Sequence, residues 1–226
     1  MGKHHSIAID GPAGAGKSTV ARRIAEELGY YYVDTGAIYR TVAYFLDLLG
    51  VSPRDTDGVE RYLDELTVAI SYDADGKQHM LMNGMDVTDD IRSQEIAQKA
   101  SLVSAQPSVR EMLLDLQRDM AKKHDVVMDG RDIGTVVLPR ADVKIFLTAS
   151  AQVRARRRTD ELAARGMQAN YEKILKEIEQ RDYQDTHRAI APLRQAKDAV
   201  KVDSSELDIE GVVAAIRDAA GKKLSL

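Results

Sequence analysis

The 226-residue chain is long enough to bury a full-sized core, either as one large domain or as one domain carrying insertions. With 44% hydrophobic and 30% charged residues and a net charge of −4, it is not a globally basic binder of nucleic acid or anionic membrane. It has no cysteine, which excludes disulfides, thiolate metal sites and Cys nucleophiles and fits a reducing compartment.

The N-terminal Met1-Gly2-Lys3-His4-His5 lacks an apolar signal segment, and no uninterrupted run of about 18 apolar residues follows. The expectation is a cytoplasmic, soluble protein in which any phosphate is met by locally clustered Arg and Lys. In chain order, Ile7 to Ile9 reads as a strand, and Thr19 to Leu28 as a helix with Val20, Ile24 and Leu28 on one face and Gly29 as its stop. Between them, Asp10 leads into Gly11-Pro12-Ala13-Gly14-Ala15-Gly16-Lys17-Ser18-Thr19, which matches G-x-x-x-x-G-K-[ST]. The glycines let the backbone curl around a phosphate, its N–H groups point inward, and the helix presents its positive end. Lys17 can reach the β- and γ-phosphates of a nucleoside triphosphate, and the Ser18 hydroxyl can ligate Mg²⁺.

Tyr30 to Val33 reads as a second strand, ending in Asp34-Thr35-Gly36. A helix follows with Ile38, Val42, Phe45, Leu46 and Leu49 on its buried side and Gly50 closing it, then a short helix around Val59 to Leu66. Thr67 to Tyr72 alternates, Asp75-Gly76 and Asn83-Gly84 are turn signals, and Gln78 to Met82 is another strand. Residues 67–88 therefore read as a small antiparallel meander inserted into a β/α chain. Ser93 to Ala105 is helical, Pro107 interrupts, and Ser108-x-x-Glu111 reads as a capping box opening a helix with Val109, Met112, Leu113, Leu116 and Met120 inward. Val126 to Asp129 is a buried strand, Val143 to Leu147 another, Ala151 to Arg165 an arginine-rich helix and Asn170 to Arg188 a long helix. Ala199 to Val202 and Leu207 to Ala220 supply the last strand and helix. Such alternation implies a parallel sheet covered on both faces.

The positions of the arginines carry the next step. Arg40 follows Asp34-Thr35-Gly36, and Arg131 and Asp132 directly follow a strand, so both should face the ligand crevice with Lys17. Arg154, Arg156, Arg157 and Arg158 lie on one helix, with Arg165 near its end. Pairs such as Arg157 with Glu161 would suit a solvated face, but four arginines in five positions exceed that need and suggest a lid over triphosphate. Arg181, Asp185 and Arg188 share one helical face, a spacing that serves either a salt-bridge ladder or a clamp on phosphate and ribose. Asp129 ends its strand either to cap a turn or to orient a metal-bound water.

Four blocks give a family resemblance: Ile9 to Thr19, Asp34-Thr35-Gly36-Ala37-Ile38-Tyr39-Arg40, Gly130-Arg131-Asp132-Ile133-Gly134-Thr135-Val136-Val137, and Arg188-Ala189-Ile190-Ala191-Pro192-Leu193. Taken in order they resemble the bacterial cytidylate kinases over nearly the whole chain. The resemblance implies a P-loop α/β fold with a five-stranded parallel core, about 1–66, 106–150 and 189–226. It also implies a monophosphate-binding insert at about 67–105 and an arginine-rich lid at about 151–188. The implied reaction passes the γ-phosphoryl group of ATP to CMP or dCMP with Mg²⁺. By the same likeness Asp34, Thr35, Arg40, Arg131 and Arg188 belong to the monophosphate side and Arg181 and Asp185 to the sugar, while Ser101, Arg110 and Asp132 read the base. Gly11 to Thr19 and Arg157 bind ATP, and Lys17, Arg131, Arg188 and Arg158 serve catalysis. Thr35 stands where many relatives have Ser, which keeps the hydroxyl.

Other small-molecule kinases and non-catalytic nucleotide sensors share the loop. A regulatory GTPase is disfavoured by the lack of an Asn-Lys-x-Asp tetrapeptide. The expected partners are CMP and dCMP alone, with neither nucleic acid nor membrane, and the expected state is a monomer.

Overall fold

The computed structural model describes residues 4–224; residues 1–3 and 225–226, the extremes of the expected core, lie outside the described residues. Strand β1 (Ser6–Asp10) runs through the glycine-rich loop into helix α1 (Lys17–Leu28), and β2 (Tyr31–Asp34) passes directly into α2 (Thr35–Leu48). The Asp34 carboxylate starts α2 by accepting the Ala37 N–H at 2.9 Å, and Asp55 starts α3 (Thr56–Leu63) through Gly58 at 3.1 Å. Then come β3 (Val68–Tyr72), β4 (Gln78–Met82) and β5 (Met85–Asp86), a 3₁₀ turn at Asp90–Arg92, and α4 (Gln94–Val103), capped by Ser93. Helix α5 (Pro107–Lys123), β6 (Val126–Gly130), a π-helical segment at Ile133–Val137 and β7 (Val143–Thr148) follow. Helices α6 (Ala151–Ala164) and α7 (Tyr171–His187), β8 (Val200–Asp203) and α8 (Ile209–Leu224) complete the described chain.

The main sheet has the order β2-β6-β1-β7-β8 and every pairing is parallel. Both faces are covered, so the central strands are apolar up to their carboxyl ends: Ile7, Ala8, Ile9, Val126, Val127 and Met128 are wholly buried. Ile7, Ile9 and Val127 pack with Val20 and Ile24 of α1 and Val213 and Ile216 of α8, while Ala8, Val126 and Met128 turn to α2 and α5. The chain goes from β1 out to edge strand β2, returns to β6 beside β1, and then crosses to β7. That reversal opens a crevice beyond the carboxyl ends of β1 and β6. A second, antiparallel sheet, ordered β3-β4-β5, adds Met80 and Met82 to the core around Ile38 and Leu46. The five-stranded parallel sheet and the antiparallel meander are thus both present. No helix among the described residues is long and apolar enough to cross a membrane.

Two local expectations are corrected. The Ser108-x-x-Glu111 capping box does not form, because Pro107, which needs no N–H partner, starts α5 one residue earlier with Gln106 at the cap. Ser108 then falls inside the first turn with its hydroxyl buried and unpaired. Leu49, expected on the buried side of α2, caps that helix instead and is 43% exposed, because the chain turns away at Gly50.

Candidate active site

The glycine-rich loop fills the end of the crevice above β1. A Cβ on Gly11, whose φ is +152°, would fall 1.9 Å from the Leu147 carbonyl oxygen, so only glycine lets the chain pass β7 there. Gly16, at φ +88°, turns the loop into α1. Pro12 and Ala15 are buried beneath the loop; Gly14, Ser18 and Thr19 are exposed, and Ala13 and Gly14 border the cleft. Lys17 is buried and reaches back to donate to the Pro12 carbonyl at 2.8 Å. Burial, with Arg131 and Arg181 nearby, lowers its pKa to about 7.

Beside Lys17, the Ser18 hydroxyl donates to one oxygen of Asp129 at 3.0 Å, and the Tyr32 hydroxyl donates to the other at 2.8 Å. Burial, with the Asp34 charge nearby, raises the Asp129 pKa. Thr35 is buried and donates to the Asp129 backbone carbonyl at 2.7 Å, which ties the start of α2 to the end of β6.

At the other end of the cleft, Asp132 sits between two guanidinium groups. Arg110 donates to one carboxylate oxygen and also to the Ser104 carbonyl at 3.1 Å. Arg188 donates to the second oxygen at 3.0 Å and to the Ser104 hydroxyl at 3.3 Å. Asp132, both arginines and Ser104 thereby close a ring. Ser104 in turn donates to the Ser101 carbonyl at 2.8 Å. Arg188 is set just past α7 by its Nε bond to the Ala191 carbonyl at 2.7 Å, in a turn where Ala191 takes a left-handed φ of +48°.

Between these ends lie Arg131, Arg181 and Arg40. Arg131 donates to Asp185 at 2.9 Å. Burial pushes the Asp185 carboxyl up, but Arg131 and Arg181 outweigh it and hold its pKa below the usual range. Arg181 is lowered to about 10, first by burial and then by the Arg131 charge. Arg40 donates to Asp34 at 3.0 Å. The Nε atoms of both Arg40 and Arg181 are buried without a hydrogen-bond partner among the described residues.

Lys17, Ser18, Asp34, Thr35, Arg40, Ser101, Arg131, Asp132, Arg181, Asp185 and Arg188 line one cavity of about 240 Å³, and Arg110 stands behind Asp132. An adjoining cavity of about 690 Å³ has Ala13 and Gly14 on one side and Arg158 of α6 on another. The arginines of α6 diverge. Arg154 is locked, 4% exposed, donating to the Ala13 and Ala149 carbonyls and to Asp182. Arg157 does not pair with Glu161 as its spacing suggested: it donates to the Ser204 hydroxyl at 3.2 Å and the Ser204 carbonyl at 2.5 Å. Glu161 pairs with Arg158 and Arg165 instead, which can reach it from within their own helix turn.

Sequence reasoning missed Tyr32, Ser104 and Asp10. Tyr32 reads only as a strand residue. Ser104 lies three positions from Ser101 near the same helix end, a weak signal. Asp10 stands inside the quoted loop motif, yet its role is to accept the N–H groups of Ile133 and Gly134, both at 2.7 Å.

The chain is similar to known proteins over nearly its whole length. The family model described as "Cytidylate kinase" matches residues 7–222. A cytidylate kinase of an Exiguobacterium species is 49% identical over 216 residues, 96% of each chain. One from Pelotomaculum thermopropionicum is 50% identical over 225 residues, covering 99% of this chain and all of that one. Among solved structures, an uncharacterized protein from Eubacterium ventriosum aligns over 96% of this chain and 97% of its own with a TM-score of 0.50 at 14% identity, a likeness of fold alone.

Proposed function

The chain belongs to the cytidylate kinase family, and from that premise we propose a role for each end of its cleft. The enzyme transfers the γ-phosphoryl group of ATP to CMP or dCMP, giving ADP and CDP or dCDP. Gly11 to Thr19 cradle the ATP phosphates, and Lys17 bridges to the β- and γ-oxygens once its bond to Pro12 is released. The Ser18 hydroxyl and the Asp129 carboxylate, hard oxygen donors 3.0 Å apart at the polyphosphate end, fit Mg²⁺. Among the described residues no cluster of three His, Cys, Asp or Glu could hold a metal alone, which suits an ion that takes most of its ligands from water and phosphate. When bound, Mg²⁺ neutralises charge on the transferred group. Arg158 borders the same opening. Arg157 holds Ser204, whose hydroxyl is 3.4 Å from the Ala15 carbonyl, so it supports the ATP side of the loop.

At the acceptor end, Arg40, Arg131 and Arg188 hold the monophosphate, with Asp34 and Thr35 fixing the start of α2 beneath it. Arg181 and Asp185 hold the sugar. Ser101, Arg110 and Asp132 read the base. The acceptor is already an anion, so catalysis needs alignment and charge neutralisation more than a strong base. Residues 67–105 act as the monophosphate-binding insert and 151–188 as the lid on a core of the remaining residues. The reading includes a monomer working in the cytoplasm on small nucleotides, without nucleic acid or membrane; the net charge of −4 supports the exclusion of nucleic acid and anionic membrane.

The observation that carries the base assignment is the Asp132 carboxylate fixed by hydrogen bonds between Arg110 and Arg188. Cytosine offers an amino donor where uracil offers a carbonyl, so a fixed carboxylate accepts from the first and repels the second. Asp132→Asn is expected to lower the CMP/UMP ratio of kcat/KM by about tenfold or more, the scale of one polar contact with a base. An unchanged ratio would remove Asp132 from base selection.

A further inference from the structure

The antiparallel sheet does more than pack against α2. Strand β2 is the edge of the main sheet, so one side of its backbone has no partner strand. Two side chains from the small sheet fill that role. Tyr72 and Gln78 lie directly opposite each other as the last pair of the β3–β4 ladder. The Tyr72 hydroxyl donates to the Tyr32 carbonyl at 2.8 Å. The Gln78 carboxamide accepts the Asp34 N–H at 2.7 Å and its nitrogen faces the Asp34 carbonyl at 3.4 Å and the Met80 sulfur at 3.0 Å. Residues 32 and 34 point the same way along a strand, so the two side chains grip alternate positions of one edge.

Asp34 is where this grip reaches the cleft. One of its carboxylate oxygens caps α2 at Ala37 and the other holds Arg40 at 3.0 Å, while the Arg40 Nε stays buried and unpaired. A shift of the Asp34 backbone therefore moves the helix start and the Arg40 guanidinium together. We infer that Gln78 is a positioning residue for Arg40, acting through the Asp34 backbone and carboxylate, so that the small sheet sets the geometry of monophosphate binding. The inference rests on the reading of Arg40 as a monophosphate ligand. Because the phosphate is common to every acceptor, its effect falls on CMP and UMP equally and leaves base discrimination intact.

Steady-state kinetics on the full chain test it, with Gln78→Met, Arg40→Ala and the double variant. Met keeps the length of Gln and its contact with Met80 but removes the bonds to Asp34. The expected result for Gln78→Met is a KM for CMP raised about tenfold, the scale of a misplaced charged contact, with kcat and the KM for ATP little changed. The UMP constant rises by the same factor, and in the Arg40→Ala background the substitution has no further effect. Equal losses on ATP and CMP, an additive effect in the double variant, or an activity loss matched by a drop in unfolding temperature would overturn the inference and leave Gln78 a structural residue. A KM for CMP that Arg40→Ala leaves unchanged would instead refute the reading of Arg40 itself.

Discussion

At the scale of single residues, the cleft is distinguished by buried cations held close together among the carboxylates of Asp34, Asp129, Asp132 and Asp185. Lys17 is the clearest case, its pKa brought down to about 7 from the 10.5 of a free lysine by burial and then by Arg131. A polyphosphate laid against it favours the ammonium, so its pKa rises on ATP binding. Between pH 7 and that raised value, binding takes up a proton, and ATP affinity falls as pH climbs through this window by up to about tenfold per unit. Calorimetric titration of ATP at pH 8 in buffers of different ionisation enthalpy should show net proton uptake in the native enzyme and its loss in Lys17→Ala. That variant should also lose roughly a hundredfold or more in kcat with an unchanged circular dichroism spectrum. Titration without proton exchange would contradict the assignment. Lys17 and Ser18 were legible because the loop spells out its geometry in nine consecutive residues. The ring around Asp132 was not, since Arg188 lies 56 positions away and Ser104 reaches it only through the fold. The family likeness grouped Asp132 with Arg110 and Ser101 but set Arg188 with the monophosphate, and it gave no hint of Ser104 or Tyr32.

At the scale of elements, the π-helical segment Ile133–Val137 shows how the acceptor site is held rigid. Asp10 accepts the N–H groups of Ile133 and Gly134, while Arg118 donates to the carbonyls of Val136 and Val137, both at 3.1 Å. Arg131 and Asp132 come immediately before the segment, so Asp10 anchors them to the end of β1. Asp10→Ala leaves two buried N–H groups unpaired and should cost about 2–4 kcal/mol of stability in urea unfolding, the scale of unsatisfied buried donors. A loss under about 0.5 kcal/mol would mean that water or a neighbour replaces the carboxylate. Periodicity found the strands and long helices correctly, because each buries a regular apolar face. It failed at α5, where Pro107 displaced the Ser108 cap, and it gave no sign of a π-helical segment, whose partners lie on β1 and α5.

At the scale of the whole molecule, the strand order places the triphosphate loop and the Asp132 ring at two ends of one crevice, and α4, α6 and α7 border its opening. The alternation of strands and helices announced this parallel architecture, whereas the convergence of residues 17, 40, 132 and 188 comes from the crossovers. The account stands on that convergence producing phosphoryl transfer to a cytidine monophosphate. ADP release with magnesium, ATP and each of CMP, dCMP, UMP, AMP and GMP as acceptor tests it most directly. The account predicts rapid turnover with CMP and dCMP, with UMP far behind and purine monophosphates inactive; a purine acceptor preferred over CMP, or no CDP formed at all, would contradict it.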